Sequence, residues 1–184
     1  MGKNREVTPD PSAMGAFEQF LQSISEMGKT PVTAAMIAGL PDSELDDHVW
    51  LRLIDRGGTD SRDDIEALHP LVRAYYATRM FEWEVGNGGL RQYFLNFADR
   101  PWFLPLVLDG YTELGLDDQR HVIEERIVPV AFSAEERRNR SRDRIDIGKR
   151  DLGESRLDEL DDLIGEHDDV RVALIRANPA LFTA

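Results

Sequence analysis

PLVRAYYATRMFEWEVGNGGLRQYFLN, residues 70–96, is the stretch whose reading decides the fold. Leu71, Val72, Tyr75, Tyr76, Met80 and Trp83 recur at three- and four-residue spacing, the period of a helix with one buried face, and Pro70 suits its first turn. The pattern breaks at Asn87, Gly88 and Gly89, and a short second helical stretch is expected from Leu90 to Phe97. Two glycines permit positive φ and close backbone approach, and an asparagine tolerates the left-handed conformation. Glu82, Asn87, Gln92 and Asn96 are then placed to bond the backbone groups left open at two helix ends. The competing reading is a polar pocket in which Glu82 and Glu84 work as a general acid and base. Residues i and i+2 leave a helix on different sides, so that pair is poorly arranged for shared chemistry.

Outward from this corner the helical period continues. Met14, Phe17, Phe20, Leu21, Ile24 and Met27 form one apolar stripe ending at Gly28. Thr30 and Pro31 are expected to open a short helix, and Asp42 or Ser43 caps a third with Leu45, Val49, Trp50, Leu53 and Ile54 inward, stopped by Gly57 and Gly58. A loop is expected to carry Asp60, Asp63 and Asp64. Beyond the corner, Pro101 opens a helix with Leu104, Val107, Leu108, Tyr111 and Leu114 inward, and Asp117 caps another through Val122, Ile123 and Ile127. Leu157, Leu160, Leu163 and Ile164 read as one helix, and Val170, Val172, Leu174 and Ile175 as a terminal one. Nothing alternates as a strand should. The expectation is all-α: one compact multi-helix domain of about eight to ten helices over residues 11–184, after a disordered tail at 1–10.

The chain has 184 residues, no cysteine, and a net charge of -13 from 35 acids against 22 bases. No disulfide or thiolate chemistry is open to it. No apolar run reaches the length of a membrane span and the N-terminus lacks a signal-peptide core, so a cytoplasmic protein without a membrane partner is expected. The sign of the charge repels nucleic acid and favours basic partners. It is concentrated: residues 42–66 hold nine acids against Arg52, Arg56 and Arg62, and residues 151–169 hold nine against Arg156.

The spacing ExExxNGGxxQYFxN, filled by Glu82, Glu84, Asn87, Gly88, Gly89, Gln92, Tyr93, Phe94 and Asn96, resembles the bacterial DNA mimic protein family. So do the apolar helix ending at Leu114-Gly115 and the terminal stretch Ile175 to Phe182, and the likeness runs from about Val49 to the end. The resemblance implies an all-helical fold. It also implies a role, because the family's namesake presents acidic side chains in place of DNA phosphates and so occupies a helix-turn-helix transcription factor. An arginine-rich segment from Arg137 to Arg150 departs from such a surface, and it would blunt a DNA-like field if it lay on the same face.

A mimic needs carboxylates at phosphate-like spacing. Glu154, Asp158, Asp162 and Glu166 recur every four residues, which on one α-helix would set them about 6 Å apart along a ridge. Asp161 and its acidic neighbours thicken that ridge, and Asp42, Glu44, Asp46 and Asp47 form a second patch. An ordinary solvated helix face would carry the same residues. Metal chemistry has little support: Glu66 with His69, and Asp118 with His121, have ligand-like spacing, but the pairs lack the further ligands a site needs. His48 and His167 are expected on exposed turns. No Walker sequence, nucleophile elbow or dinucleotide fingerprint is present.

These observations favour an acidic binding domain with neither catalytic residues nor cofactor, docking on a basic DNA-binding protein, with homodimerisation left open. Two readings stand beside it: an enzyme or small-ligand binder using Glu82, Asn87 and Gln92, and an immunity or scaffold protein with another partner.

Overall fold

The computed structural model describes residues 22–55, 61–131 and 157–183. The expected tail at 1–10, Gly57, Gly58, Asp60, the arginine-rich segment and Glu154 lie outside the described residues. The helices are α1 (residues 22–29), α2 (Ala34–Gly39), α3 (Asp42–Asp55), α4 (Arg62–Ala67) and α5 (Pro70–Asn96). They are followed by α6 (Phe103–Glu113), α7 (Asp117–Val122), a π turn (Ile123–Ile127) and α8 (Val128–Ala131). A 3-10 helix (Asp158–Leu163), α9 (Asp168–Ala177) and α10 (Pro179–Phe182) complete the described chain. The described residues contain no strand, so the fold is all-α.

Several boundaries differ from expectation for local reasons. Thr33, not Thr30, caps α2, its hydroxyl accepting the Met36 N–H at 3.2 Å. The acids Asp63 and Asp64 fall in the first turn of α4, where the helix dipole favours them, and Ser61 caps that helix. Leu157, Leu160 and Leu163 do not lie on an α-helix: the chain winds as a 3-10 helix and then extends at Ile164 (φ -92, ψ 111).

α5 is the axis of the domain. It packs along α6, where Gly110 allows close approach: a Cβ there would stand 3.1 Å from both the Ala74 carbonyl and the Thr78 methyl. Around this contact the aromatic core assembles edge-to-face, Phe81 meeting Tyr93 at 4.7 Å and Tyr111 at 6.4 Å, with Phe97 stacked on Tyr93 at 4.9 Å. Each such buried side chain contributes about 1.5–3 kcal/mol. α9 returns to pack on α3 and the 3-10 helix packs on α5, so Asp168 and Asp169 at the start of α9 lie on an element that adjoins α3.

The corner in α5 is built as the sequence suggests, with a different division of labour. Gly88 is extended (φ -163) and Gly89 takes the left-handed φ of 78°, while no residue other than glycine has positive φ among those described. Leu90 restarts the helix, and its N–H donates to Asp161 Oδ1 at 2.8 Å, so a carboxylate 71 residues away serves as the cap. A Cβ at Gly89 would stand 2.4 Å from Asp161 Oδ2, and one at Gly88 would stand 1.9 Å from Gln92 Oε1. Glu84 ties the two halves together, accepting from Asn96 Nδ2 at 2.7 Å and Gln92 Nε2 at 3.4 Å. Asn87 is exposed, and nothing in the structure explains its identity.

Two substitutions test the corner. Gly89→Ala meets both a forbidden φ and the Asp161 carboxylate, and should destabilise the domain by about 1–3 kcal/mol in urea unfolding. Gly86→Ala, three residues earlier with nothing within 4 Å of the added carbon, should be neutral or stabilise by up to about 1 kcal/mol. Equal effects at the two positions would contradict the assignment.

Candidate functional site

Glu82 and Glu84 are both buried, at 6% and 7% exposure, and they serve separate networks as the i, i+2 argument requires. Glu84 belongs to the corner. Glu82 points across the domain to the start of α9, where its carboxylate is bonded at both oxygens. Tyr111 O–H donates to Oε1 at 3.0 Å, the His167 backbone N–H to Oε2 at 3.2 Å, and Arg171 Nη1 to Oε2 at 2.7 Å. His167 Nδ1 lies 2.9 Å from Oε1 and, facing an ionised carboxylate, is the protonated ring nitrogen.

Arg171 is the centre of this cluster, and its side chain is wholly buried. Besides Glu82 it meets Asp168 through Nη2, and its Nε lies 3.6 Å from Asp46 Oδ1. Asp46, 1% exposed, meets Arg79 Nε at 2.8 Å through its other oxygen, and Arg79 reaches out to Asp47 at 3.2 Å. A guanidinium cannot shed its proton to escape burial, so it is stable inside only with carboxylates around it. Those carboxylates come from α3 and α5 as well as from α9, and the cluster therefore locks three elements in register.

The protonation equilibria follow from these contacts. Burial pushes the Glu82 carboxyl up, but the His167 hydrogen bond and the Arg171 guanidinium outweigh it and hold the group below its usual range. For Asp46 burial wins over Arg171 and Arg79, and the carboxyl is raised. The tyrosines beside them, Tyr75 and Tyr111, are raised well above their ordinary value by burial and by the Asp46 and Glu82 charges respectively. The Arg171 guanidinium is held charged: burial lowers its pKa, but Glu82 and Asp46 raise it more.

The acidic residues read from the sequence divide into three groups. Asp46 is interior and unavailable to a partner. Asp161 is turned inward onto Leu90, while Asp158 stays exposed and faces Arg91 at 3.7 Å. The expected four-residue ridge is therefore absent, because a 3-10 helix followed by extended chain does not align residues 158, 162 and 166. Asp42, Glu44, Asp47, Asp162 and Glu166 are exposed. Of these, Asp42 is met by Arg176 at 2.6 Å and Asp47 by Arg79.

Tyr93 is 1% exposed within the aromatic core. His48 and His167 are not on exposed turns: His48 is buried with Nε2 3.3 Å from the Thr30 carbonyl oxygen, and His167 lies against Glu82. An open hollow of about 420 Å³ is lined by Val85, Gly86, Asp161, Asp162, Gly165 and Glu166, with Glu82 at its inner edge and neither Asn87 nor Gln92 in it. Among the described residues no group of three or more metal-ligating side chains is suited to a metal, and no helix is long and apolar enough to cross a membrane.

Sequence reasoning missed the Arg171 cluster. The signal was Val170-Arg171-Val172, a cation inside an apolar helical run, whose counterions lie 89 and 125 residues away in sequence at Glu82 and Asp46.

Two measurements check the cluster. Arg171→Met leaves Glu82 and Asp46 without their shared cation and should cost about 3–5 kcal/mol. The pH dependence of stability separates the two acids. Glu82, with a depressed folded pKa, contributes stability above its ordinary value of 4.5 that is lost as pH falls through the folded pKa. Asp46 has the opposite sign: its raised folded pKa weakens the fold as pH climbs past 3.8. Glu82→Gln should therefore flatten the loss of stability below 4.5. An acid limb as steep as that of the unmodified chain would contradict this.

No curated protein and no solved structure matches the chain. The family model described as DMP19-like protein matches residues 66–178, more than half of the sequence, starting later than the resemblance from about Val49. On that match the chain belongs to the DMP19-like family of DNA mimic proteins.

Proposed function

We propose that this chain acts by binding, not by catalysis, and that its partner is a basic DNA-binding protein, of the helix-turn-helix class, whose nucleic-acid surface it occupies. The observation that carries the proposal is the packing of α9 on α3, which sets Asp168 and Asp169 at the start of α9 on an element adjoining the one that holds Asp42, Glu44 and Asp47. Asp42, Glu44 and Asp47 on α3, Asp169 on α9, and Asp162 and Glu166 on the segment leading into α9 are all exposed. Family membership supports the same reading.

The enzyme reading is the weaker one because Glu82, the carboxylate at the edge of the hollow, already has both oxygens bonded by Tyr111, His167 and Arg171. A general base needs a free lone pair within reach of its substrate. Here they are spent on Tyr111 of α6 and on the start of α9.

The binding is expected to be steered by charge and weakened by salt, since exposed carboxylates act through a field screened within about 8–10 Å. In capture on the immobilised chain at low salt, a basic DNA-binding protein should be retained and released by added duplex DNA. The variant Glu44→Gln, Asp162→Asn, Glu166→Gln should slow its association about tenfold. Retention indifferent to salt, to duplex DNA and to the three substitutions would contradict the proposal.

A further inference from the structure

Between the end of the 3-10 helix at Leu163 and the start of α9 at Asp168, residues 164–167 belong to no helix, and Ile164 is extended (φ -92, ψ 111). The exposed acids Asp162 and Glu166 stand at either end of this crossing. A non-helical stretch makes few backbone bonds of its own, so its position depends on what other elements supply. Glu82 accepts the His167 N–H, and Gln119 of α7 holds the chain at two further points. Its Nε2 donates to the Leu163 carbonyl at 3.2 Å, and its Oε1 accepts the Gly165 N–H at 3.2 Å.

One amide that bonds the carbonyl of residue 163 and the N–H of residue 165 repeats what a parallel strand does on either side of the residue it faces. Glutamine can do this because its terminal group sets an acceptor oxygen beside a donor nitrogen, as a peptide does. The fit is close: a Cβ at Gly165 would stand 3.2 Å from His167 Cε1 and 3.6 Å from Gln119 Oε1. α7 buries no residue of its own, but it runs on into the π turn, whose Ile123 and Ile127 are core. The clamp is thereby rooted in the interior.

We infer that Gln119 is a positioning residue for the acidic surface: its amide fixes Asp162 and Glu166 relative to each other without touching the partner itself. The inference rests on the binding function proposed above. Acids on a loose segment would have to be ordered by the partner, which weakens binding, whereas acids already held in place need no ordering. Charge number sets how fast a basic partner arrives, and fixed geometry sets how long it stays.

Gln119→Met keeps the length and the net charge and removes both bonds. In the chain alone it should speed hydrogen exchange at residues 163–167 by about tenfold more than in α5. With a hexa-arginine peptide at low salt as the probe, it should weaken binding about fivefold. Asp162→Asn with Glu166→Gln should then weaken binding less in the Gln119→Met background than in the unmodified chain, since the two changes act through one segment. Gln119→Glu, which adds a negative charge but loses the donor to Leu163, should also bind the peptide more weakly than the unmodified chain. Additive losses in the cycle, or tighter binding by Gln119→Glu, would overturn the positioning role and leave the acidic-surface reading standing. If the unmodified chain does not bind hexa-arginine at low salt, that underlying reading fails.

Discussion

One buried guanidinium sets the terms for the rest of this domain. The Arg171 side chain is wholly buried, so its charge must be met by Glu82 from α5, Asp46 from α3 and Asp168 from its own helix. Only one placement of α9 against the other two helices satisfies all three, and that placement fixes where the chain leading into α9 runs. The 3-10 helix is thereby set against the corner of α5, where Asp161 reaches the Leu90 N–H. The exposed acids that follow, Asp162 and Glu166, are held beside α5 at the entry to α9 by that interior chemistry.

The residues that mark the family are thus the joints of the fold. Glu82 holds α9, Glu84 joins the halves of α5 through Gln92 and Asn96, and Gly88 and Gly89 clear space for Gln92 and Asp161. A motif of this kind travels with the architecture. Asp42, Glu44, Asp47, Asp162 and Glu166 lie outside these joints and are exposed.

Much of the fold was legible because it depends on local period: α3, α5 and α6 follow from apolar residues at helical spacing and from proline and glycine at their ends. The positive φ in the corner was legible too, since the two adjacent glycines admit it where other residues do not. Arg171 with Asp46, and Asp161 with Leu90, were not, because each joins residues far apart in sequence and no local pattern encodes the pairing. The acidic surface was half legible. Counting carboxylates located two acidic stretches, but a four-residue recurrence assumed an α-helix where Asp158–Leu163 is a 3-10 turn, and it treated Asp46 and Asp161 as surface when both are turned inward.

The central claim is that α3 and the segment leading into α9 present a single acidic flank to a basic partner. The most direct test is hydrogen exchange of the chain alone and in complex with a DNA-binding protein it captures. The account predicts added protection at residues 42–50 and 162–169, with α6 and α7 unchanged. Protection confined to α6 and α7, on elements that carry neither part of the flank, would contradict it.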